Sequence, residues 1–434
     1  MSFPVIVAII MFVAMVALIL ADKFHVSLVF VLVPTIAALV LGFSPKEIGN
    51  FAMDGFKSVA NTATMMTFAI LYFGILWKVG VFDLLIQKVL KLLGNSVLKV
   101  CFVTALLSNL TQLDGSGSTT AICTIPTLRP IYEKMKIRKE ALMLIFSMMS
   151  GVWCLLPWTG GFLVACAATN VDIYECFRMG WPIMVIGALL AYLACIPIAA
   201  REKKNGAGLT DAEWNEYKAS LARPVELKVS KGVVIFDIVW TLILLVGLMA
   251  GLMPATLAFM VFYAIAMIVN FPSTKQQGAY IREQASSILT LLSVVLALGV
   301  LLGVTKGTGM VNSVADLLAS ALPAGIAKHI VTLFCLITLP LACFIGSDNI
   351  KTVIAPALIA MVAPLGISAV QVVLALQIMI ISSANLTLFT ATPYFALGLA
   401  DVSMKDHIKF SFLSLWAYSL VLLVITLLFG IIPL

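Results

Sequence analysis

Apolar stretches about as long as a bilayer is thick alternate with short polar segments along most of the chain. These stretches are residues 4–21, 26–43, 59–77, 180–200, 233–252, 254–270 and 287–304. A helix needs about 20 predominantly apolar residues to cross a bilayer, so the pattern predicts an all-α protein that crosses a membrane several times. Composition agrees with this, because 62% of the residues are hydrophobic and 11% are charged. A soluble domain is about half apolar and a quarter charged.

A polar run interrupts the apolar pattern between residues 111 and 120, where the chain reads TQLDGSGSTT. The apolar flanks, residues 100–110 and 121–128, are each too short to cross a bilayer. We therefore predict a re-entrant hairpin with its tip inside the membrane, where non-helical backbone must be buried in protein or line a wet cavity. Small residues let a ligand approach the backbone, and the N–H groups at a helix start can bind an anion.

A second break is predicted at the end of the apolar stretch formed by residues 141–158. Pro157 removes a backbone donor, and the pair Gly160 and Gly161 favours unwinding of the helix. The chain therefore combines one hairpin and one broken helix before its only long hydrophilic segment.

That hydrophilic segment, residues 201–231, separates two halves that repeat each other at an offset of about 230 residues. Pro356-Ala357-Leu358 corresponds to Pro126-Thr127-Leu128, and Asp401 corresponds to Asp172. The counterpart of the first hairpin tip is 346–349, and that of the first broken helix is 382–387. A short loop with Lys275 and Arg282 is expected before the stretch at 287–304. We divide the chain into a first repeat with its leading helices (1–200), a linker (201–231) and a second repeat (232–434).

Charge placement gives the orientation of the two repeats. Residues 132–140 contain four Lys or Arg residues, whereas the corresponding residues 362–369 contain none. By the positive-inside rule these loops face opposite sides of the membrane. We therefore predict inverted-topology repeats, with a cytoplasmic linker and both termini outside, in the cytoplasmic (inner) membrane.

One acidic residue lies in each predicted hairpin tip, Asp114 in the first and Asp348 in the second. A charge buried in lipid is costly, so such residues normally serve a pathway or a partner. The functional interpretation is a ligand for the coupling cation or proton, and the structural one is a carboxylate that caps a hairpin helix.

Small polar residues surround these acids and can supply hydroxyl, amide and backbone contacts to a substrate. Packing between membrane helices is the alternative role for such residues. Lys351 either pairs with a substrate carboxylate or neutralises Asp348 three residues earlier. The candidate substrate-binding residues are Ser116, Gly117, Ser118, Thr119, Thr120, Trp158, Thr159, Gly160, Ser347, Asn349, Lys351, Ser383, Asn385 and Thr387.

Other chemistry has little support in the sequence. No nucleophile–base pair, His-Glu-x-x-His motif or zinc-ligand spacing is present, and Asp114 precedes its glycines, unlike the Gly-x-Gly-Asp order of intramembrane aspartyl proteases. We expect no enzyme activity, no resident cofactor and no metal held by the protein alone. The net charge of +7 comes without a dense basic run, so no nucleic acid partner is expected. His407 lies near a membrane face, and a surface role is expected for it.

The motifs together resemble the citrate–divalent metal–proton symporters, a family of the ion transporter superfamily, over nearly the whole chain. The residues that carry the resemblance are 68–75 (FAILYFGI), 113–120 (LDGSGSTT), 156–158 (LPW), 398–400 (GLA) and 406–410 (DHIKF). The resemblance implies an elevator-type transporter, in which a mobile domain carries both hairpins and a scaffold forms a homodimer. It also implies uptake of a tricarboxylate bound to a divalent ion such as Mg2+, driven by protons.

The chain departs from that family's pattern inside the motifs. Ser116 replaces the second acid of an Asp-Gly-Asp-Gly tip, Val164 stands at the place of an arginine, and Lys351 stands where an aromatic residue is usual. We infer that the positive charge has moved to the other hairpin and that the ligand differs from metal-citrate. Loss of an acid weakens a divalent metal site.

The sequence thus predicts a secondary active transporter for citrate or a related di- or tricarboxylate, with or without a divalent metal, coupled to protons or sodium. The alternative is a sodium/proton antiporter without an organic substrate. The many hydrogen-bond donors and Lys351 argue against a site built for bare cations.

Overall fold

The computed structural model describes residues 3–20, 24–220, 229–249, 252–310, 313, 329–347, 350–383, 385–387 and 391–432. All regular elements in these ranges are helical. The first half contains α1 (Phe3–Leu20), α2 (Val26–Val40), α3 (Pro45–Lys78), α4 (Val81–Leu90), α5 (Val97–Thr111), α6 (Gly117–Lys134), α7 (Lys139–Val152), α8 (Gly160–Thr169) and α9 (Ile173–Lys204). The linker contains α10 (Asp211–Ser220), and the second half contains α11 (Lys231–Met249), α12 (Ala255–Asn270), α13 (Thr274–Gly307), α14 (Ile330–Ile345), α15 (Ala355–Val362), α16 (Ala369–Ile380), α17 (Ala391–Ala400) and α18 (Met404–Leu428).

Several of these helices are long and apolar enough to cross a membrane. Within the described ranges, 6 helices meet this condition alone, and the bent pair Lys139–Leu155 and Gly160–Thr169 gives up to 7 crossings. The axes of that pair differ by 44°, at the position where Pro157, Gly160 and Gly161 predict a break. The chain is a multi-pass membrane protein.

Two helices of 34 residues each, α3 and α13, begin with the same device. The Ser44 side chain accepts a hydrogen bond from the Glu47 N–H, and Ser273 accepts one from the Gln276 N–H, which completes a capping box in each case. The expected loop around Lys275 and Arg282 is therefore wrong. Ser273 starts the helix ahead of both residues, and their charges lie on the first turns of α13 outside its apolar part.

The helices form two groups. In the first, α3 packs along α13 and α12, and α2 packs against α13. The crossing of α3 and α13 is very close, since a Cβ added to Gly303 would lie 1.9 Å from the Phe51 carbonyl oxygen. In the second group α5 packs on α7 and α9, α18 on α7, α17 on α6, and α14 on α16.

The first predicted hairpin is formed by α5 and α6. Thr104 and Tyr132 are joined by a hydroxyl–hydroxyl hydrogen bond of 2.8 Å, and Thr111 and Thr124 by one of 3.2 Å, so the two arms run antiparallel. The chain reverses at Gly115, whose φ of 78° is the left-handed value that favours glycine. The expectation that the first arm is too short to cross is wrong, because the helix begins at Val97 and with its last 3-10 turn spans 18 residues.

Among the described helices, α1–α3 begin the first half and α11–α13 begin the second, while α5–α9 and α14–α18 end them. Asn170 and Asp401, one before the last helix of each half, share positive φ values of 53° and 55°.

His407 is fully buried, so the expected surface role is wrong. Its residue exposure is 0%, and its Nδ1 lies 3.1 Å from the Ser411 hydroxyl. The reason is that α18 packs against α7 and α16, which covers the face of α18 that carries His407, while Lys405, Asp406 and Lys409 stay exposed.

Candidate functional site

One cavity of about 890 Å³ brings the two halves together. Its walls are the tip of the first hairpin, the break between α7 and α8, one side of α3 and α13, and three polar residues of the second half, Ser347, Thr352 and Asn385. The site is therefore built from segments that lie far apart in sequence.

At the hairpin tip, Asp114 is held by two donors. Its Oδ1 accepts the Ser116 N–H at 2.8 Å, and its Oδ2 accepts the Trp77 Nε1–H at 3.0 Å. Ser116, and not Asp114, is the N-cap of α6, because its hydroxyl accepts the Thr119 N–H at 3.4 Å. Asp114 instead fixes the turn that precedes the cap, and both of its oxygens are satisfied as an anion.

The start of α6 presents unused donors to the cavity. Gly117 and Ser118 line the cavity, and within the described residues neither N–H has an acceptor. The first N–H groups of a helix have no partner inside it, and they lie at the positive end of the helix dipole. This arrangement suits a carboxylate or another anion.

Trp158 joins the tip to the first break. Its Nε1–H donates to the Leu113 carbonyl at 2.8 Å, and its ring stacks on Phe73 with centroids 5.7 Å apart. A Cβ added to Gly115 would lie 3.0 Å from Trp158 Cδ1. The Thr159 hydroxyl donates to the Cys154 and Leu156 carbonyls, so Thr159 stabilises the break itself.

The end of α7, next to the first break, contacts the predicted second break at residues 382–387 beside the cavity. The Asn385 side-chain N–H donates to the Ser150 hydroxyl at 3.1 Å. A Cβ on Gly151 would lie 2.2 Å from the Ile381 carbonyl oxygen, so α7 passes directly against the 3-10 turn Ile381–Ser383. Glycine at position 151 makes this approach possible.

Ten of the predicted site residues line the cavity: Asp114, Ser116, Gly117, Ser118, Thr119, Trp158, Thr159, Gly160, Ser347 and Asn385. Four others are not among the lining residues. The Thr120 hydroxyl donates to Gln112 Oε1 at 2.7 Å, and the Ser383 hydroxyl donates to the Ile380 carbonyl at 2.8 Å. Thr387 and Lys351 are buried. Asp348 and Asn349 lie outside the described residues.

The three positions that depart from the family pattern all lie at or next to the cavity. Ser116 and Val164 line it directly. The Lys351 ammonium lies against Gly161, another lining residue, since a Cβ there would be 2.9 Å from Lys351 Nζ.

The sequence did not predict the cavity wall contributed by α3 and α13. Trp77, Lys78, Glu283 and Gln284 all line the cavity, and Lys78 forms an ion pair with Glu283. These two residues are 205 positions apart, and no spacing or motif links them. Only the crossing of the two helices brings them together.

No group of three His, Cys, Asp or Glu side chains in the described part of the chain is placed to hold a metal ion. A divalent ion in this cavity would take most of its oxygen ligands from a bound carboxylate and from water.

A family model described as citrate transporter matches residues 5–379. Two relatives come from Bacillus subtilis (strain 168). A citrate transporter is 29% identical over 427 residues, covering 98% of both chains. A Mg(2+)/citrate complex secondary transporter is 30% identical over 397 residues, covering 91% of both. The crystal structure of the Alcanivorax borkumensis YdaH transporter, which has an unusual topology, has a TM-score of 0.58 at 15% identity, and covers 90% of this chain and 89% of that one. The two share a fold.

Proposed function

The chain belongs to the citrate transporter family, and on this basis we propose that it is a secondary active transporter of citrate or a related di- or tricarboxylate, bound in the cavity between the two halves. Proteins of this family are transporters and not enzymes.

The start of α6 is the observation that carries the carboxylate assignment. The N–H groups of Gly117 and Ser118 can receive one carboxylate group at the positive end of the helix dipole. Around it, the side chains of Ser118, Ser347 and Asn385 line the same cavity and can bind the remaining carboxylate and hydroxyl groups of a polycarboxylate.

Lys351 is proposed as the compensating positive charge. Because Val164 occupies the place where the family pattern has an arginine, the ammonium behind Gly161 is the nearby cation contributed by the second half. Lys351→Ala should weaken binding of the stabilising carboxylate by about 10- to 100-fold, since a hydrogen bond to a charged group contributes about 1.5–3 kcal/mol. Lys57→Ala, on the exposed turn of α3, is the control and should not change affinity. Unchanged affinity in Lys351→Ala would refute this role.

The transport motion is proposed from the grouping of the helices. α5–α9 and α14–α18 carry the hairpins and the breaks, and would move as one body against α1–α3 and α11–α13. Matching helix orders in the two halves support a pair of repeats, and the charge asymmetry of their loops supports an inverted arrangement with a cytoplasmic linker. A scaffold of this kind would form the homodimer contact. Asp114 and Asp348 remain the proposed hairpin ligands of the coupling ion.

Thermal stability of the purified protein in detergent tests the substrate assignment, because a ligand that binds the folded state raises the melting temperature. Citrate, isocitrate, succinate and malate are each added with and without Mg2+, Ca2+ or Na+. Stabilisation by citrate only with a divalent ion indicates a metal-citrate substrate. Stabilisation by a carboxylate without metal indicates the altered site around Lys351. A response to sodium or pH alone indicates the sodium/proton antiporter and contradicts the proposal.

A further inference from the structure

An acidic residue that the cavity does not use lies inside the membrane-spanning helix α11. Asp237 is 0% exposed, in a helix that is long and apolar enough to cross the bilayer. Its Oδ1 accepts a hydrogen bond of 2.8 Å from the side-chain N–H of Asn270 at the end of α12. An ionisable group at such a position is expensive to keep unless it has a function.

In the part of the chain that the structure describes, Asp237 and Asn270 each keep one oxygen without a hydrogen-bond donor. Asp237 Oδ2 and Asn270 Oδ1 are both buried, and neither has a partner among the described residues. The Asn270 N–H2 group is fully used, because it also donates to the Ala266 carbonyl at 3.0 Å. Both unsatisfied atoms are acceptors, so the pair lacks a donor. A buried acceptor without a donor costs about 1–3 kcal/mol, and more if it carries charge.

We propose that Asp237 and Asn270 form a proton-binding site in the scaffold helices α11 and α12, separate from the hairpin acids Asp114 and Asp348, and that a proton taken up by Asp237 drives transport. A proton on Oδ2 converts the carboxylate into a neutral carboxylic acid and turns an unsatisfied acceptor into a donor, while Asn270 Oδ1 is an acceptor without a donor among the described residues. No other reactant is needed, since one proton is bound and one negative charge is removed. The inference deepens the proposed transport function. The link between proton binding and transport rests on that function, whereas proton binding by Asp237 does not.

The contrast with Asp114 supports this assignment. Asp114 has a donor on each oxygen, from Ser116 and Trp77, and is therefore satisfied as an anion. Among the described residues, Asp237 has a donor on one oxygen only. Of these two described acids in the membrane, Asp237 is the one with an oxygen that lacks a donor among the described residues.

Within the described part of the chain, the helices that pack against α11 bring few groups that could compensate the charge of Asp237. α12 has no charged residue, and on α4, which also packs against α11, Asp83 and Lys88 are exposed. Hydrogen bonds link Asp237 through Thr241 to one further titratable group, Tyr72. The Tyr72 hydroxyl lies 2.9 Å from Thr241 Oγ1. The Thr241 hydroxyl in turn donates to the Asp237 backbone carbonyl at 2.7 Å.

Contacts continue from this site to the cavity. The next residue along α3, Phe73, stacks on Trp158 in the first break. Phe259 of α12, the helix that carries Asn270, lies edge-on to Trp158 with ring centroids 5.6 Å apart. A change in the hydrogen bond between Asp237 of α11 and Asn270 of α12 would therefore be transmitted through packed aromatic rings to Phe73 and Trp158 in the wall of the substrate cavity.

Infrared spectroscopy of the protein in lipid nanodiscs tests proton binding directly. At neutral pH the wild type should show a carboxylic-acid C=O stretching band that is lost in Asp237→Asn. Asp83→Asn makes the same chemical change at an exposed position and should leave the band intact. An unchanged band in Asp237→Asn shows that Asp237 is ionised and overturns the proposal.

Transport in proteoliposomes tests the coupling. Asp237→Asn should keep exchange of labelled for unlabelled citrate within about twofold of the wild type, because exchange needs no net proton movement. An imposed proton gradient should no longer increase its citrate accumulation. A gradient response equal to that of the wild type overturns the coupling role even if the infrared band is lost.

If Asp237→Asn does not fold, Asn270→Ala carries the test. This variant keeps the acid and removes its hydrogen-bond partner, so the band should shift in frequency, and an unchanged band overturns the assignment. Failure of the transport function itself is recognised separately, since the wild type would then neither bind nor exchange any carboxylate while the infrared comparison still reports on Asp237.

Discussion

At the scale of single residues, the turn at Gly115 sets the position of the hairpin tip. The backbone there has φ of 78°, and a Cβ would meet Trp158 Cδ1 at 3.0 Å and the Trp158 carbonyl oxygen at 3.3 Å. Gly115→Ala adds a left-handed strain of about 1–2 kcal/mol and a contact that pushes the tip away from the break. We expect citrate affinity to fall at least about tenfold, measured by the ligand-dependent shift in melting temperature.

Gly42→Ala is the matched control for this prediction. Gly42 has φ of 90°, and nothing lies within 4 Å of a Cβ added there, so the variant has the same backbone strain without the steric contact. It should lower the melting temperature but leave affinity unchanged. Equal affinities in the two variants would show that contact between tip and break does not shape the site.

Asp401 provides a pH-dependent contribution to stability in the loop between α17 and α18. The Lys139 ammonium at 2.6 Å and the Arg129 guanidinium at 3.3 Å hold the pKa of this carboxyl below its usual value. A lowered pKa in the folded state stabilises the protein above the unfolded pKa of about 3.9, and this stabilisation is lost as the pH falls through the folded value.

Asp401→Asn should therefore melt at a lower temperature than the wild type at neutral pH, and the difference should disappear in acid. Asn accepts the left-handed backbone that Asp401 adopts, so the comparison isolates the charge. Added salt should also reduce the difference, because the side chain is 64% exposed. A difference that is constant from neutral to acid pH would contradict the electrostatic origin.

At the scale of elements, the crossing of α3 and α13 depends on glycine. A Cβ at Gly303 would lie 1.9 Å from the Phe51 carbonyl oxygen, a backbone atom that cannot move away alone. Gly303→Ala should force the two long helices apart, at a cost of at least about 1–3 kcal/mol as for overpacked cores. The melting temperature in detergent should fall clearly, and the detergent-solubilised protein should tend to aggregate.

Gly278→Ala on the same helix separates this effect from helix propensity. A Cβ there would only make an ordinary contact with the Arg282 side chain at 3.6 Å. Alanine in a helix is favoured over glycine by about 0.5–1 kcal/mol, so this variant should be as stable as the wild type or more so. If Gly303→Ala behaved in the same way, the close crossing would not be required for folding.

Features that depend on neighbouring residues could be predicted from the sequence. Pro157 with Gly160 and Gly161 gives the bend of 44°, and the polar run around Gly115 gives the reversal between α5 and α6. The burial of His407 and the part played by Trp77, Lys78 and Glu283 could not be predicted. Each depends on packing between helices that are far apart in sequence. A local sequence pattern does not predict which faces of those helices pack together.

At the scale of the whole molecule, the proposed inverted arrangement of two repeats can be tested by cysteine labelling. Lys134 ends α6, and Leu365 lies in the short turn that follows α15; both are exposed, and they are equivalent positions in the proposed repeats. We expect a membrane-impermeant maleimide to label Lys134→Cys only from the cytoplasmic side and Leu365→Cys only from the outside. The basic loop stays in the cytoplasm, and the loop without Lys or Arg crosses more easily.

The native protein is the background for this measurement, because its eight cysteines are buried or half-buried. Glu216→Cys in the linker should be labelled from the same side as Lys134→Cys, since the linker is proposed to be cytoplasmic. Labelling is compared in right-side-out and inverted vesicles. If Lys134→Cys and Leu365→Cys were labelled from the same side, the halves would be parallel. The two hairpin tips could not then approach each other from opposite faces of the membrane. The presence of Ser347 and Gly117 in the lining of one cavity would then need a different chain path through the second half.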